Sequence, residues 1–224
     1  MKWLSFVMLS IFLFCKMGDA SAQVVRDGNI NLIPMYGGVK KSRALQKADA
    51  RLLADFPNRR EAATQFAKRG WDYFYAKDPE TAIKRFNQAW LLDSTNAEAY
   101  WGFGVIEGGR RHNTDALRYL QRSIQLDPTK KRILVDVAEA LIGRYELTHQ
   151  PADLDSALVQ LRLFLLSIPD GKLTTEANMR FAVVYYLKRD YFAAWQYVDQ
   201  VKFLNPAVIT DWELIPRLEK DSPH

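Results

Sequence analysis

The chain has 224 residues, 48% of them hydrophobic and 25% charged, an ordinary globular balance that excludes a chain too polar to bury a core. Its formal charge of +5 is a mild excess, and the clusters Lys40-Lys41, Arg59-Arg60, Arg110-Arg111 and Lys130-Lys131-Arg132 are scattered along the sequence. A nucleic-acid partner calls for a continuous basic stripe, so none is expected.

At the N-terminus, Lys2 precedes an apolar run from Trp3 to Phe14, and a polar stretch leads to Ala20-Ser21-Ala22. That order predicts a signal peptide over residues 1–22, cleaved after Ala22, and a periplasmic or secreted mature chain. The run is too short for a bilayer core, so no membrane span is expected after cleavage. An uncleaved anchor or an ordinary buried helix is the alternative, against which Lys16, Gly18 and Asp19 fit a processing region better. A lipid anchor at Cys15 is disfavoured, because Phe14 stands where bacterial lipoproteins carry a small residue. Cleavage would remove Cys15, the one cysteine, leaving no disulfide, thiol nucleophile or thiolate metal ligand.

Residues 23–41 are expected to form an irregular extension. Within it Asn31-Leu32-Ile33-Pro34-Met35-Tyr36-Gly37-Gly38 has the look of an apolar, turn-rich strand without helical periodicity. From Ser42 to Phe56 the spacing of Ala44, Leu45, Ala48, Leu52 and Leu53 predicts a helix that caps the N-terminal end of a repeat array.

The array itself shows in the residue pattern. The segments beginning at Ala63 and Ala97 superimpose at a period of 34 residues: Gly70 falls on Gly104, Ala82 on Ala116, Phe86 on Leu120, Ala89 on Ser123, and Leu92-Asp93-Ser94 on Leu126-Asp127-Pro128. Phe66, Tyr73, Tyr100 and Phe103 form the apolar stripe of a helix that packs on a neighbour, and Asp78-Pro79 is an N-cap followed by a first-turn proline. Further on, Ala138 and Ala182 lie 44 residues apart, and the surplus is assigned to loops: seven residues around His149 to Asp153, and three in Asp170-Gly171-Lys172. Four units result, over 63–96, 97–130, 131–171 and 175–208, making with the capping helix (42–56) a repeat domain over 42–208. Residues 209–224 supply a C-terminal cap or tail, with a short helix from Asp211 to Leu218 interrupted at Pro216.

A helix-turn-helix unit of this length, small at Gly70, Gly104, Ala138 and Ala182 and again at Ala82, Ala116, Ala157 and Ala194, resembles the tetratricopeptide repeat. The resemblance implies an all-α, right-handed α-solenoid whose first helices line a concave groove for a peptide or protein partner. Transferred slot by slot, the partner-binding groove falls on Trp71, Phe74, Tyr75, Trp101, Val105, Glu139, Met179, Val183 and Tyr186, a largely apolar and aromatic surface. A well-known subclass clamps the C-terminal carboxylate of heat-shock chaperones with lysines and asparagines. Here the matching places hold Ala67, Trp71, Trp101, Val105 and Val135, so that ligand is not expected. The groove is either open to a partner or filled by residues 23–41 of the same chain.

No catalytic or cofactor-binding motif stands out. Gly102, Gly104, Gly108 and Gly109 lack both the spacing and the preceding strand of a nucleotide loop, and His112, His149 and His224 have no metal-ligand spacing. The function expected is an exported interaction scaffold or adaptor, not an enzyme, in an envelope or secretion assembly. Its alternatives are a regulatory or small-ligand-binding protein with the groove closed by its own arm, and an immunity or chaperone-like protein that masks an effector.

Overall fold

The computed structural model describes residues 29–38, 43–167, 171–209 and 212–223. Two 3-10 turns, Ile30–Leu32 and Pro34–Gly38, precede helices α1 (Arg43–Leu53), α2 (Arg59–Tyr75), α3 (Pro79–Leu92), α4 (Ala97–Gly109), α5 (Asn113–Leu126), α6 (Ile133–Thr148), α7 (Pro151–Ser167), α8 (Gly171–Leu187), α9 (Tyr191–Leu204), α10 (Pro206–Ile209) and α11 (Leu214–Asp221). No strand occurs among the described residues. The hairpins α2/α3, α4/α5, α6/α7 and α8/α9 are the four repeats, stacked as an all-α solenoid. Because α2 also touches α4, α4 touches α6 and α6 touches α8, the first helices of the units form one continuous layer.

Local chemistry starts and stops these helices. The side chains of Asn58, Asp78, Asn96 and Asp190 accept hydrogen bonds from the backbone N–H groups of Glu61, Thr81, Ala99 and Ala193. Each such cap contributes about 1 kcal/mol. The turn inside every unit places one residue in the left-handed region: Lys77 (φ 64°), Arg111 (φ 64°), His149 (φ 54°) and Arg189 (φ 62°). None of the four is β-branched, which keeps the strain of that conformation tolerable.

Small residues then let the helices meet. The fully buried Phe86 ring lies between Gly70 of α2 and Gly102 of α4, and a Cβ on Gly70 would stand 2.6 Å from it. One period later Leu120 covers Gly104 in the same way, 2.6 Å from where a Cβ would be. The ends of the stack are closed by α1, joined to α2 through the bidentate pair of Arg59 with Asp49 at 2.7 and 2.6 Å, and by α11, whose Leu214 and Leu218 bury themselves against Ala182, Ala194 and Val198.

Four expectations need correction. The surplus in unit three is helix, not loop: α6 runs to Thr148 and α7 starts at Pro151, with only His149 and Gln150 between them. The segment after Gly143 holds no helix breaker, and Arg144 near the end of α6 grips both oxygens of Asp153 in the first turn of α7, at 2.9 and 2.5 Å. Helix α8 likewise begins at Gly171, inside what the pattern assigned to a linker. Pro216 does not interrupt α11, because it sits in the first turn, where its missing N–H has no intrahelical partner to lose. Finally, residues 30–38 are turns and not a strand. Met35, Tyr36, Gly37 and Gly38 all have positive φ, between 53° and 72°, which coils the chain tightly enough to bury Tyr36 against Leu91. Cys15 and the apolar run of the proposed signal lie outside the described residues.

Candidate functional site

The layer of first helices carries the groove positions. Trp71 of α2 and Trp101 of α4 sit one turn apart in repeat register, and the solenoid stacking brings their rings edge to face at 5.1 Å. Phe74 and Tyr75 join Trp71 at 5.7 and 6.0 Å, making one aromatic cluster. Tyr75 is its exposed edge, with 74% of its surface open, while Trp71, Phe74 and Trp101 are half-buried. Beneath the cluster Phe86 meets Trp71 at 5.2 Å and ties the groove to the core.

Each indole is fixed by a carboxylate from the next unit. Trp71 Nε1 donates to Glu98 Oε2 at 2.6 Å, and Trp101 Nε1 donates to Asp136 Oδ2 at 2.7 Å. Lys130 pairs with Glu98 at 2.5 Å, and this hydrogen bond and charge hold the ammonium pKa above its usual value. Asp136 is pushed up to about 6 by burial, against the opposing pull of Arg132 and of the Trp101 N–H. Arg132 in turn reaches Glu176 of α8 at 3.0 Å, and Arg180 of α8 pairs with Glu139 of α6. The polar ends along this row are thus bonded to one another, which leaves the ring faces and their apolar margins as the open part of the cluster.

The remaining predicted positions divide. Val105 and Val183 are half-buried against the central core, and Met179 is half-buried on α8. Glu139 is the most exposed of the groove acids, with 57% of its side chain open. Tyr186 belongs to the C-terminal closure: its hydroxyl donates to Asp221 of α11 at 2.8 Å, and its ring meets Tyr191 at 5.8 Å. The groove is therefore aromatic at its first two units and lined by ion pairs at the third and fourth, less apolar than the slot pattern implied.

The N-terminal arm does not fill it over the described residues. Ile30 to Gly38 packs against α3, a second helix of its unit, where Asn87 Nδ2 donates to the carbonyls of Asn31 and Ile33 at 2.9 Å each. A further bond from Arg110 to the Leu32 carbonyl, at 3.0 Å, holds the arm at the same side. Of the alternative in which residues 23–41 fill the groove, the part from Ile30 to Gly38 lies elsewhere, on α3. Asn87 follows Phe86 directly and is buried with Ile83, Phe86 and Leu91 on the packed side of α3, a placement that the mixed polar pattern of that helix did not disclose.

Two solved structures share the arrangement of stacked helix pairs. The structure of MamA superimposes with a TM-score of 0.52 at 20% identity, over 84% of this chain and 95% of that chain. YrrB, described as a TPR protein with an unusual peptide-binding site, does so with a TM-score of 0.54 at 20% identity, over 90% of this chain and 98% of that chain. The chain has the tetratricopeptide-repeat fold. No family model matches it, and no curated protein matches its sequence. At this identity the likeness shows the tetratricopeptide-repeat architecture and leaves the ligand to be argued from the groove.

Proposed function

We propose that this protein is an exported, non-enzymatic interaction scaffold that holds an apolar or aromatic segment of a partner protein against Trp71, Phe74, Tyr75 and Trp101. The observation that carries the reading is the ring cluster itself. Two indoles are locked in place by Glu98 and Asp136, and the cluster stays partly open although α3 and α5 supply ample core. Rigid aromatic surface of this kind is what binding hot spots use, since little rotamer entropy is lost on association. The resemblance to YrrB, described as having a peptide-binding site, supports a peptide-like ligand. Export rests on the order Lys2, Trp3 to Phe14, Ala20-Ser21-Ala22.

A photo-crosslinking amino acid placed at Tyr75, and for contrast at the exposed Leu163 of α7, tests the groove in cells. The expected result is a discrete adduct from position 75 alone, abolished by Trp71→Ala with Trp101→Ala. Adducts of the same size from both positions, or one that survives the double substitution, would overturn the reading. Export is checked separately by the mass of the purified protein, which should begin at Gln23.

A further inference from the structure

Away from the groove, the turns inside units two and three and the arm enclose a cleft of about 700 Å³, a volume typical of small-ligand sites. Leu32 and Met35 of the arm form one wall, Leu147 and Thr148 at the end of α6 another, and the first turn of α5 opens into the floor.

That first turn lacks something that α3 and α9 have. Asp78 starts α3 and Asp190 starts α9, each accepting the backbone N–H three residues on. One repeat period after Asp78 stands His112, which makes no side-chain cap on α5. Its ring is turned instead to the buried Glu107, with Nδ1 at 2.7 Å from Oε2. The opening turn of α5, which lines the cleft through Asn113, Thr114 and Asp115, thus lacks the cap oxygen that Asp78 and Asp190 supply to α3 and α9.

A second observation lies beside it. Asn113, 6% exposed, lines the same cleft, its amide lying against Gly143, where a Cβ would stand 2.8 Å from both Oδ1 and Nδ2, and no hydrogen bond satisfies it among the described residues. With no partner among those residues, that amide is free to bond a ligand that enters the cleft. Four arginines surround the place. Arg110 is committed to Glu107 and the Leu32 carbonyl, and Arg144 to Asp153. Arg111 and Arg118 hold Glu146 at 3.3 Å and Asp115 at 2.9 Å, in pairs open to solvent on both sides that are worth little and readily exchange an acid.

We propose that this cleft binds a small organic acid: a carboxylate carried on an apolar body. The carboxylate takes the position of the missing cap oxygen on α5, bonded by Asn113 and drawn by Arg111 and Arg118, and the apolar body rests on Leu32, Met35 and Leu147. The site is separate from the aromatic groove and does not depend on it. The terminal carboxylate of a peptide has the same chemistry as a free acid, and the two are told apart by length.

Isothermal titration of the full chain with N-acetyl-leucine, N-acetyl-leucinamide and acetate tests this. N-acetyl-leucine binds, while the uncharged amide and the bodiless acetate each bind at least about tenfold more weakly, the loss expected when a charge-assisted contact or the apolar contact goes. His112→Asn supplies the cap oxygen from within; it leaves the helical circular dichroism unchanged and weakens N-acetyl-leucine by a similar factor. Arg111→Ala with Arg118→Ala, both exposed, does the same, whereas Trp71→Ala with Trp101→Ala has no effect, which separates this site from the groove. A tetrapeptide ending in leucine that binds more tightly than N-acetyl-leucine assigns the site to peptide termini, and one that binds no better assigns it to the free acid. No heat with N-acetyl-leucine at millimolar concentration, equal binding of the amide or of acetate, or full binding by His112→Asn would overturn the proposal.

Discussion

Phe86 stands between two glycines, and that placement predicts that one substitution changes sign with its background. In a helix interior Gly→Ala ordinarily gains about 1 kcal/mol, because alanine has less backbone freedom to lose. At Gly70 the new methyl would stand 2.6 Å from the Phe86 ring, which has Gly102 on its other side and Trp71 at 5.2 Å, so the ring has nowhere to retreat. Overpacking costs about 1–3 kcal/mol, and a ring that cannot retreat belongs in the upper part of that range, about 2–3 kcal/mol, so after the propensity gain Gly70→Ala should destabilise the protein by about 1–2 kcal/mol. Phe86→Ala alone should cost about 4–5 kcal/mol, the upper end for its class, since neither glycine has a side chain with which to close the void. In that background Gly70→Ala has room: it regains the propensity term, refills part of the void and should stabilise by about 1 kcal/mol. The cycle therefore carries a coupling of about 2–3 kcal/mol. Urea unfolding followed by both circular dichroism and tryptophan fluorescence measures it, with two probes because stacked repeats need not unfold together. Gly70→Ala stabilising the wild type, or coupling near zero, would refute the ring-between-glycines account.

Three more outcomes are expected from other parts of the molecule. Asp136, raised to about 6 by burial, binds its proton more tightly folded than unfolded, so its share of stability grows as pH falls from about 6 to about 4 and is absent above. Two units would be about 3 kcal/mol, and since 24% of the side chain is exposed the expected change is about 1–2 kcal/mol, read as the difference in urea stability between wild type and Asp136→Asn at pH 7 and pH 4.5; a difference that does not move with pH would count against it. Asn87→Ala removes both bonds to the arm and should cost about 1–2 kcal/mol while speeding limited proteolysis near Tyr36. Leu218→Ala, at a fully buried position of α11, should cost about 2–4 kcal/mol and increase dye binding at the uncovered end of unit four, detected by fluorescence.

The repeat was legible because its determinants are local and periodic. Small residues at Gly70, Gly104, Ala82 and Ala116 recur at 34 residues, caps such as Asp78 precede their helices, and both arise from what neighbouring turns of one hairpin require. Unit three shows where that reading stops: alignment located the surplus residues, but the bond of Arg144 to Asp153, which ties the lengthened α6 to the first turn of α7, appears only in the tertiary structure. The 34-residue period also places His112 where unit one has Asp78, yet the turn of that ring toward Glu107 is a matter of tertiary structure.

The groove divides in the same way. Trp71 and Trp101 were visible as large residues in groove slots, but their meeting, and the capture of their N–H groups by Glu98 and Asp136, joins residues 27 and 35 positions apart at unequal repeat offsets. The arm is a sharper case, because its turns found α3 through Asn87, 56 and 54 positions away, and left the groove uncovered by the described residues. Sequence periodicity by itself determined the unit and its internal packing. The rotation from one unit to the next decided which side chains face each other across units, since that rotation sums small packing preferences along the whole stack and no single segment encodes it.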